Sequence, residues 1–508
     1  MNSRQRALVI SICCVAFAIV SVQVAQVQPE PRKPASTNTI HRIRRNFGDA
    51  SPSSRLPDLP QMRASVTRVT DEVRFAKTHG LAQWEYLDAY LYWLRQRAYP
   101  NDRIELTTLK AGLQHKFGMS LEGTTGSNGH RWEFVGPRNL PTPYRQYFGI
   151  GVTSGRVNGV AFDPLDSNIV YAATAGGGVW RIDRSTNTSV SLSDGWIDTK
   201  TSCIAVSASG AQRTLYVGTG DFDGGRSIYG FGIMKSSDGG MTWINLLNQE
   251  LSGYSVKHIL IHPDNPQVVL VTAGNSLDAL GAIWRSSDAG ATWAKANVDS
   301  ADWQDVTCAV QGLTAKRYCY AVGAGIRGQV WRSDDTGQTW TKLAPSISWN
   351  YQRSFAIAAS QHDPLAVYLL AGTDRTIWAS RDAGMTWTDT TRDFPPGDAN
   401  YNWGQSDYDF FIACTTHPVT HADVLYAGLI DIIASTDGGV HWASIGNTYQ
   451  DTAVTHNDQH AFAVNPKNSA EALLGNDGGI YLVTLDVASD TWKIDSALNA
   501  NLGITQFL

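Results

Sequence analysis

One eight-residue motif recurs five times in this chain, and its spacing constrains the fold more than any other feature. The copies are SSDGGMTW (236–243), SSDAGATW (286–293), SDDTGQTW (333–340), SRDAGMTW (380–387) and STDGGVHW (435–442). They share Ser-x-Asp-x-Gly-x-Thr-Trp, with His441 replacing Thr in the fifth. The closing tryptophans Trp243, Trp293, Trp340, Trp387 and Trp442 lie 50, 47, 47 and 55 residues apart. A steady period with strand-like runs between copies marks a radial β-repeat.

Each copy follows a short apolar run such as Phe231-Gly-Ile-Met or Ala282-Ile-Trp. Its Ser-x-Asp-x-Gly stretch suits a tight turn. The Asp carboxylate can accept backbone N–H groups there, and the Gly supplies a φ > 0 position. The Trp that opens the next strand is large enough to pack between neighbouring sheets. Weaker copies extend the series: Trp196 lies 47 residues before Trp243, and Trp492 lies 50 after Trp442. A second element alternates with the first. FDPLDSNIVYAAT (162–174), IHPDNPQVVLVTA (261–273), QHDPLAVYLLAGT (361–373) and THPVTHADVLYAG (416–428) each have the form strand, Pro-containing turn, strand. The expected unit has four strands, a to d, with the Pro turn joining a to b and the motif joining c to d. The expected fold is all-β, a seven-bladed β-propeller over 131–508, with Asp238, Asp288, Asp335, Asp382 and Asp437 in structural turns at its outer rim.

Residues 1–28 have the form of an export segment: Arg4 and Arg6 precede an apolar stretch from Ala7 to Val22. No A-x-A cleavage site follows, so a signal peptide and a retained N-terminal anchor both remain open. Either places the chain as secreted or extracytoplasmic. No other stretch is apolar enough to span a membrane. Residues 29–61 are rich in Pro, Ser and Arg and form a disordered tether. A helical segment is expected over 62–117, a Gly/Ser-rich linker over 118–130, and RWEFVGP (131–137) as an isolated strand that closes the last blade. A net charge of −5 with 17% charged residues argues against nucleic acid as a partner. Outside the export segment the cysteines are Cys203, Cys308, Cys319 and Cys414. Cys308 and Cys319 fall on consecutive strands of one unit, and export permits a disulfide between them. Cys203 and Cys414 suit buried small hydrophobes on inner strands.

The motif resembles the Asp-box, or bacterial neuraminidase repeat, of sialidases, sortilin-like receptors and xyloglucanase-like hydrolases. From about residue 84 to 507 the chain also resembles large secreted bacterial proteins known as BNR-repeat glycosyl hydrolases or sortilin N-terminal domain proteins. This rests on RAYPND (97–102), WEFVGP (132–137), SGRVNGVAFDP (154–164), AATAGGGVWR (172–181), GTGDFDGG (218–225), HNDQHAFAVNP (456–466), GNDGGIY (475–481) and LGITQF (502–507). In relatives ITQF opens a further inner strand, so residues 504–507 are expected to be poorly satisfied and the chain to be a truncated or one-propeller form. Sialidase activity is disfavoured. The Arg-Ile-Pro segment is absent, and the glutamates after residue 130, Glu133, Glu250 and Glu471, avoid the expected inner strands. A xyloglucanase-like site needs paired aspartates. Ala175 stands where that resemblance implies the first.

Candidate function therefore gathers in the b-to-c and d-to-a connections, on the face opposite the repeated turns. Asp221, Asp223, Trp403, Asp407, Asp409, His456, Asp458, His460, Asn476, Asp477 and Arg156 fall there. Many of these types also suit solvated turns. HNDQH is the most specific, because alternate residues of a strand point the same way and would put His456, Asp458 and His460 on one face. Two imidazoles and a carboxylate suit a divalent metal or acid–base work, and equally a structural His–Asp network. No cofactor is required by the sequence. Two functions stay open: a binding module for a peptide, glycan or protein ligand, using Arg156, Asp221, Asp409, His456, Asp458, His460 and Asp477; or a glycoside hydrolase or metal-assisted hydrolase using the His/Asp cluster.

Overall fold

The computed structural model describes residues 149–504, apart from 197, 224–225, 229, 248–249, 252–253, 276–279, 310–316, 325–327, 344–353 and 392–407. Before 149 it describes 70, 73–74, 77–78, 91–92, 95, 140–141 and 145. The chain divides into two compact units, Met1–Met119 with Phe507–Leu508, and Ser120–Gln506. The helical segment expected over 62–117 lies for the most part outside the described residues, as do the linker and RWEFVGP.

In the second unit, alternating apolar runs and tight turns build seven four-stranded antiparallel sheets. Each is continuous in sequence, a-b-c-d, over 157–191, 201–246, 255–295, 302–342, 355–389, 411–444 and 459–495. This is the seven-bladed β-propeller. The innermost strands are Val157–Phe162, Thr201–Ser209, Ser255–Ile261, Asp302–Cys308, Phe355–Ala359, Phe411–Thr416 and Gln459–Asn465. Apolar clusters lie between successive blades. Trp387 of blade 5 packs with Tyr320 of blade 4, and Trp442 of blade 6 packs with Tyr368 of blade 5. The ring closes the same way: Val157, Val160 and Phe162 of blade 1 meet Ala461, Leu473 and Ile480 of blade 7, sealed by Leu498, Leu502 and Ile504. Arg184 of blade 1 adds a two-pronged ion pair to Glu471 of blade 7, at 2.8 and 3.0 Å.

All five motif copies form one turn between strands c and d. In each, the Asp accepts the Ser hydroxyl at 2.7–2.8 Å and the backbone N–H four residues on at 2.8–2.9 Å. The motif glycine sits at φ between 80° and 97°. The residue before it is left-handed too, even where it is Ala289, Thr336 or Ala383. The Trp indole N–H donates to that glycine's carbonyl at 3.0–3.1 Å. Trp492 occupies the matching place on the outer strand of blade 7, Thr491–Asp495. Trp196 does not: it follows the outer strand of blade 1, Thr188–Ser191, whose c–d turn is built instead around Asp183.

Cys308 and Cys319 are cross-strand partners joined in a disulfide, with Cα atoms 4.0 Å apart. Cys203 and Cys414 are free thiols on the innermost strands of blades 2 and 6. The expectation for 504–507 is corrected at its first residue. Ile504 is buried in the seam between blades 1 and 7, because that apolar seam offers it a place. Residues 505–507 lie outside the described residues.

Candidate ligand-binding site

Strands that alternate in direction put the a–b and c–d turns on one face and the b–c and d–a connections on the other. The second face carries the candidate residues. GNDGG spans the b–c connection of blade 7, between Asn468–Asn476 and Gly479–Asp486. A Cβ on Gly478 would lie 2.5 Å from the Cβ of His456, so glycine there lets the connection close onto HNDQH. Asp477 is thereby brought to the His460 Nε2, at 2.8 Å.

From Asp477 a chain of polar contacts runs around the channel mouth. Tyr408, in the d–a connection before blade 6, donates its hydroxyl to Asp477 at 2.8–2.9 Å. Its ring meets that of His460 edge-on, with centroids 4.7 Å apart. Arg156, just before blade 1, donates Nη1 to the Tyr408 hydroxyl at 3.0 Å. Its Nη2 pairs with Asp221 at the b–c connection of blade 2. Asn158 on the first inner strand donates to the other Asp221 oxygen at 3.1 Å. Asp409 is fully buried and lies close enough to Asp458 to influence its charge. The structure thus joins Arg156, Asp221, Asp409, Asp458, His460 and Asp477, with His456 close enough to Asp477 to feel its charge.

Asp458 and Asp477 are perturbed in opposite directions. Burial pushes Asp458 well above the ordinary carboxyl range, and the neighbouring Asp477 charge adds to the shift. Burial also acts to raise Asp477, but its hydrogen bond to His460 and the His460, Arg156 and His456 charges outweigh it, and Asp477 sits below that range. Burial lowers His456 against the opposing pull of Asp477, which favours the neutral imidazole. The two carboxyls are therefore shifted in opposite directions.

Two expectations need correction. His456, Asp458 and His460 do not alternate along one strand. The strand begins at Gln459, Asp458 is left-handed at φ 65°, and the register slips between Gln459 and Ala461. Nor do the three gather as metal ligands. Among the described residues, the group with three such atoms within 4.8 Å of one another is His262, Cys308 and Cys319. Trp403 and Asp407, and the Asp223 side chain, lie outside the described residues.

Sequence reasoning missed four members of this face. Tyr408 is the hub, and its signal was the SDYDF run that already pointed to Asp409. Lys257 and Asp302 flank the Asp221 side: burial lowers the Lys257 pKa, while Asp302 and Asp221 oppose that shift. A lysine inside the apolar strand SVKHILI was legible. Asp431, in the b–c connection of blade 6, is pushed up to about 6 by burial, against hydrogen bonds from Ser444 and Thr448. Nothing in its own segment marked it. Ala175 lies on the same face, its N–H donating to the Arg156 carbonyl at 3.1 Å.

The fold and site define a channel-bearing seven-bladed propeller with a polar network at one mouth. A family model described as "Sortilin, neurotensin receptor 3" (Sortilin-Vps10) matches residues 328–499. A xyloglucanase of Paenibacillus sp is 27% identical over 154 residues, 28% of this chain and 15% of that protein. Among solved structures, a GH74 xyloglucanase from Xanthomonas campestris aligns at 20% identity over 68% of this chain and 55% of its own, with a TM-score of 0.49. YCF48 from Cyanidioschyzon merolae aligns at 14% identity over 68% and 97%, with a TM-score of 0.42. The chain thus spans 15% and 55% of the two xyloglucanases it matches. The chain is a seven-bladed propeller, and parts of it are similar to sortilin and to a xyloglucanase, the likeness that the repeats implied.

Proposed function

We propose that the chain is an extracytoplasmic propeller that binds a peptide, glycan or protein partner on its channel face. The observation that carries this reading is a layered network. Tyr408, His456, His460 and Asp477 keep part of their surface open, while Arg156, Asp221, Asp409 and Asp458 are buried behind them. The outer group offers an ionised acceptor, a phenol and imidazoles, which suit amide or hydroxyl groups of a ligand. The inner group fixes their positions. The apolar stretch from Ala7 to Val22 supports a place outside the cytoplasm.

Binding to peptide and glycan arrays tests the reading, with His456→Ala/His460→Ala compared against the parent chain. Loss of a bound ligand by a variant that keeps its far-ultraviolet circular dichroism supports it. Undiminished binding removes the cluster as the site.

A second reading has one specific support, Asp458 shifted up beside Asp477 shifted down, the direction of divergence an acid–base pair needs. It is a glycoside hydrolase. Sugar release from xyloglucan and other glycans, abolished by Asp458→Asn and insensitive to chelator, would favour it over a binding module.

A further inference from the structure

The Cys308–Cys319 bridge has a third member. Both cysteines are buried in blade 4. His262, directly after the innermost strand of blade 3, is 3% exposed and reaches the same spot. One of its ring nitrogens and the two sulfurs lie within 4.8 Å of one another. Nδ1 accepts the Asp264 backbone N–H at 3.3 Å. Among the described residues Nε2 has no hydrogen-bond partner. Burial, with the Arg317 charge, lowers the His262 pKa, against the opposing pull of Asp264. The Arg317 guanidinium is itself held by both Asp264 oxygens.

We propose that reduction converts this triangle into a site for zinc or another thiophilic divalent ion, with His262, Cys308 and Cys319 as ligands and a fourth position open to water. Two sulfurs and an imidazole nitrogen form a familiar zinc set, with bonds of about 2.3 Å to sulfur and about 2.0–2.1 Å to nitrogen. A dithiol supplies two electrons and two protons, becomes a disulfide, and leaves the Cys308 and Cys319 sulfurs as thiols. The ion displaces both thiol protons and forms two bonds to sulfur and one to nitrogen. Without an ion, burial disfavours the thiolates; the ion's charge stabilises them. The ion takes the Nε2 lone pair, so the ring proton moves to Nδ1 and the long contact from Asp264 is given up.

The full chain is reduced with a phosphine, which leaves as its oxide with oxygen from water, and is then freed of reductant without air. Titration with Co²⁺ should give one bound ion per chain, with a thiolate-to-cobalt band in the near ultraviolet that zinc displaces. The oxidised chain should show no band. His262→Gln should weaken binding at least about tenfold. Cys308→Ser/Cys319→Ser should abolish the band; that variant keeps Cys13, Cys14, Cys203 and Cys414 and so reports any cobalt they hold. Far-ultraviolet circular dichroism is followed throughout. No band from a reduced, folded chain overturns the proposal. So does a band of undiminished affinity in His262→Gln, or a reduced chain that loses its β signal, because the triangle exists only in the fold.

Discussion

The five motif aspartates of the turn face and the carboxylates of the channel face are held in opposite ways. On the turn face each motif aspartate is satisfied within its own loop, by groups two to four residues away. On the channel face Arg156 reaches Asp221 across 65 residues and Tyr408 across 252, and Tyr408 reaches Asp477 across 69. The electrostatic outcome also differs. Asp288 and Asp382 are held down to about 2, chiefly by the Thr hydroxyl and backbone N–H of their own turns. Asp458 and Asp431 are pushed up, chiefly by burial. The repeated motif spends its aspartates on local geometry. The channel face stores its own in an environment where charge is costly, which is where binding or proton transfer is most often found.

The largest expected effect breaks the long-range side of this contrast. Arg156 and Asp221 are 5% and 4% exposed, and Arg156→Leu leaves Asp221 buried without its cation. Losing one partner of a buried pair costs about 3–5 kcal/mol. The variant should unfold at clearly lower denaturant, measured by circular dichroism in urea. An effect no larger than that of a surface substitution would mean water already reaches Asp221.

That contrast also explains what the sequence revealed. The turns were legible because Ser, Asp, Gly, Thr and Trp sit at fixed offsets, and the local hydrogen bonds need nothing else. Blade number followed from the tryptophan period, although Trp196 reached the right count from the wrong side of its outer strand. The candidate residues were legible as polar types in the correct connections. Their partners were not. Tyr408 is a hub only because blades 1, 6 and 7 meet in space, and Asp431 is perturbed only because neighbouring chain buries it. The expected alternation of His456, Asp458 and His460 failed because Asp458 adopts a left-handed turn that periodicity does not encode.

The next prediction separates the faces by pH. A carboxyl raised in the fold carries no penalty below its unfolded value of about 3.9, and acquires one as pH rises from there towards its folded value. Asp458 belongs to this kind, so Asp458→Asn should be more stable than the parent at pH 7, with the difference vanishing towards pH 4. The motif aspartates have the opposite sign. Their contribution is complete above about 3.9 and is lost as pH falls through about 2 for Asp288 and Asp382. Thermal unfolding from pH 1.5 to pH 8 tests both. A difference between the two chains that is flat with pH would show that Asp458 titrates alike in the folded and unfolded chain, with no shift from burial. Smaller still is Asp335→Ala, which removes acceptors from Ser333 and Thr339 at a half-exposed turn. The expected loss is about 1 kcal/mol. Because the turns lie in different blades, pairs of such changes should add.

The smallest effect tests whether the turn face tolerates its one departure from the pattern. In four copies a Thr hydroxyl donates to the second Asp oxygen, and in the fifth the His441 ring nitrogen meets Asp437 at 2.5 Å instead. The His441 backbone N–H still donates to the first Asp437 oxygen at 2.9 Å, and Ser435 still donates its hydroxyl. The turn therefore keeps every contact except the exchanged one. His441→Thr should change stability by less than about 0.5 kcal/mol, the range of an exposed substitution away from special features. Denaturant unfolding of the two chains decides it. A larger shift in either direction would show that this copy is not interchangeable with the other four. The imidazole would then hold something beyond its own loop, and the motif would lose its claim to be satisfied locally.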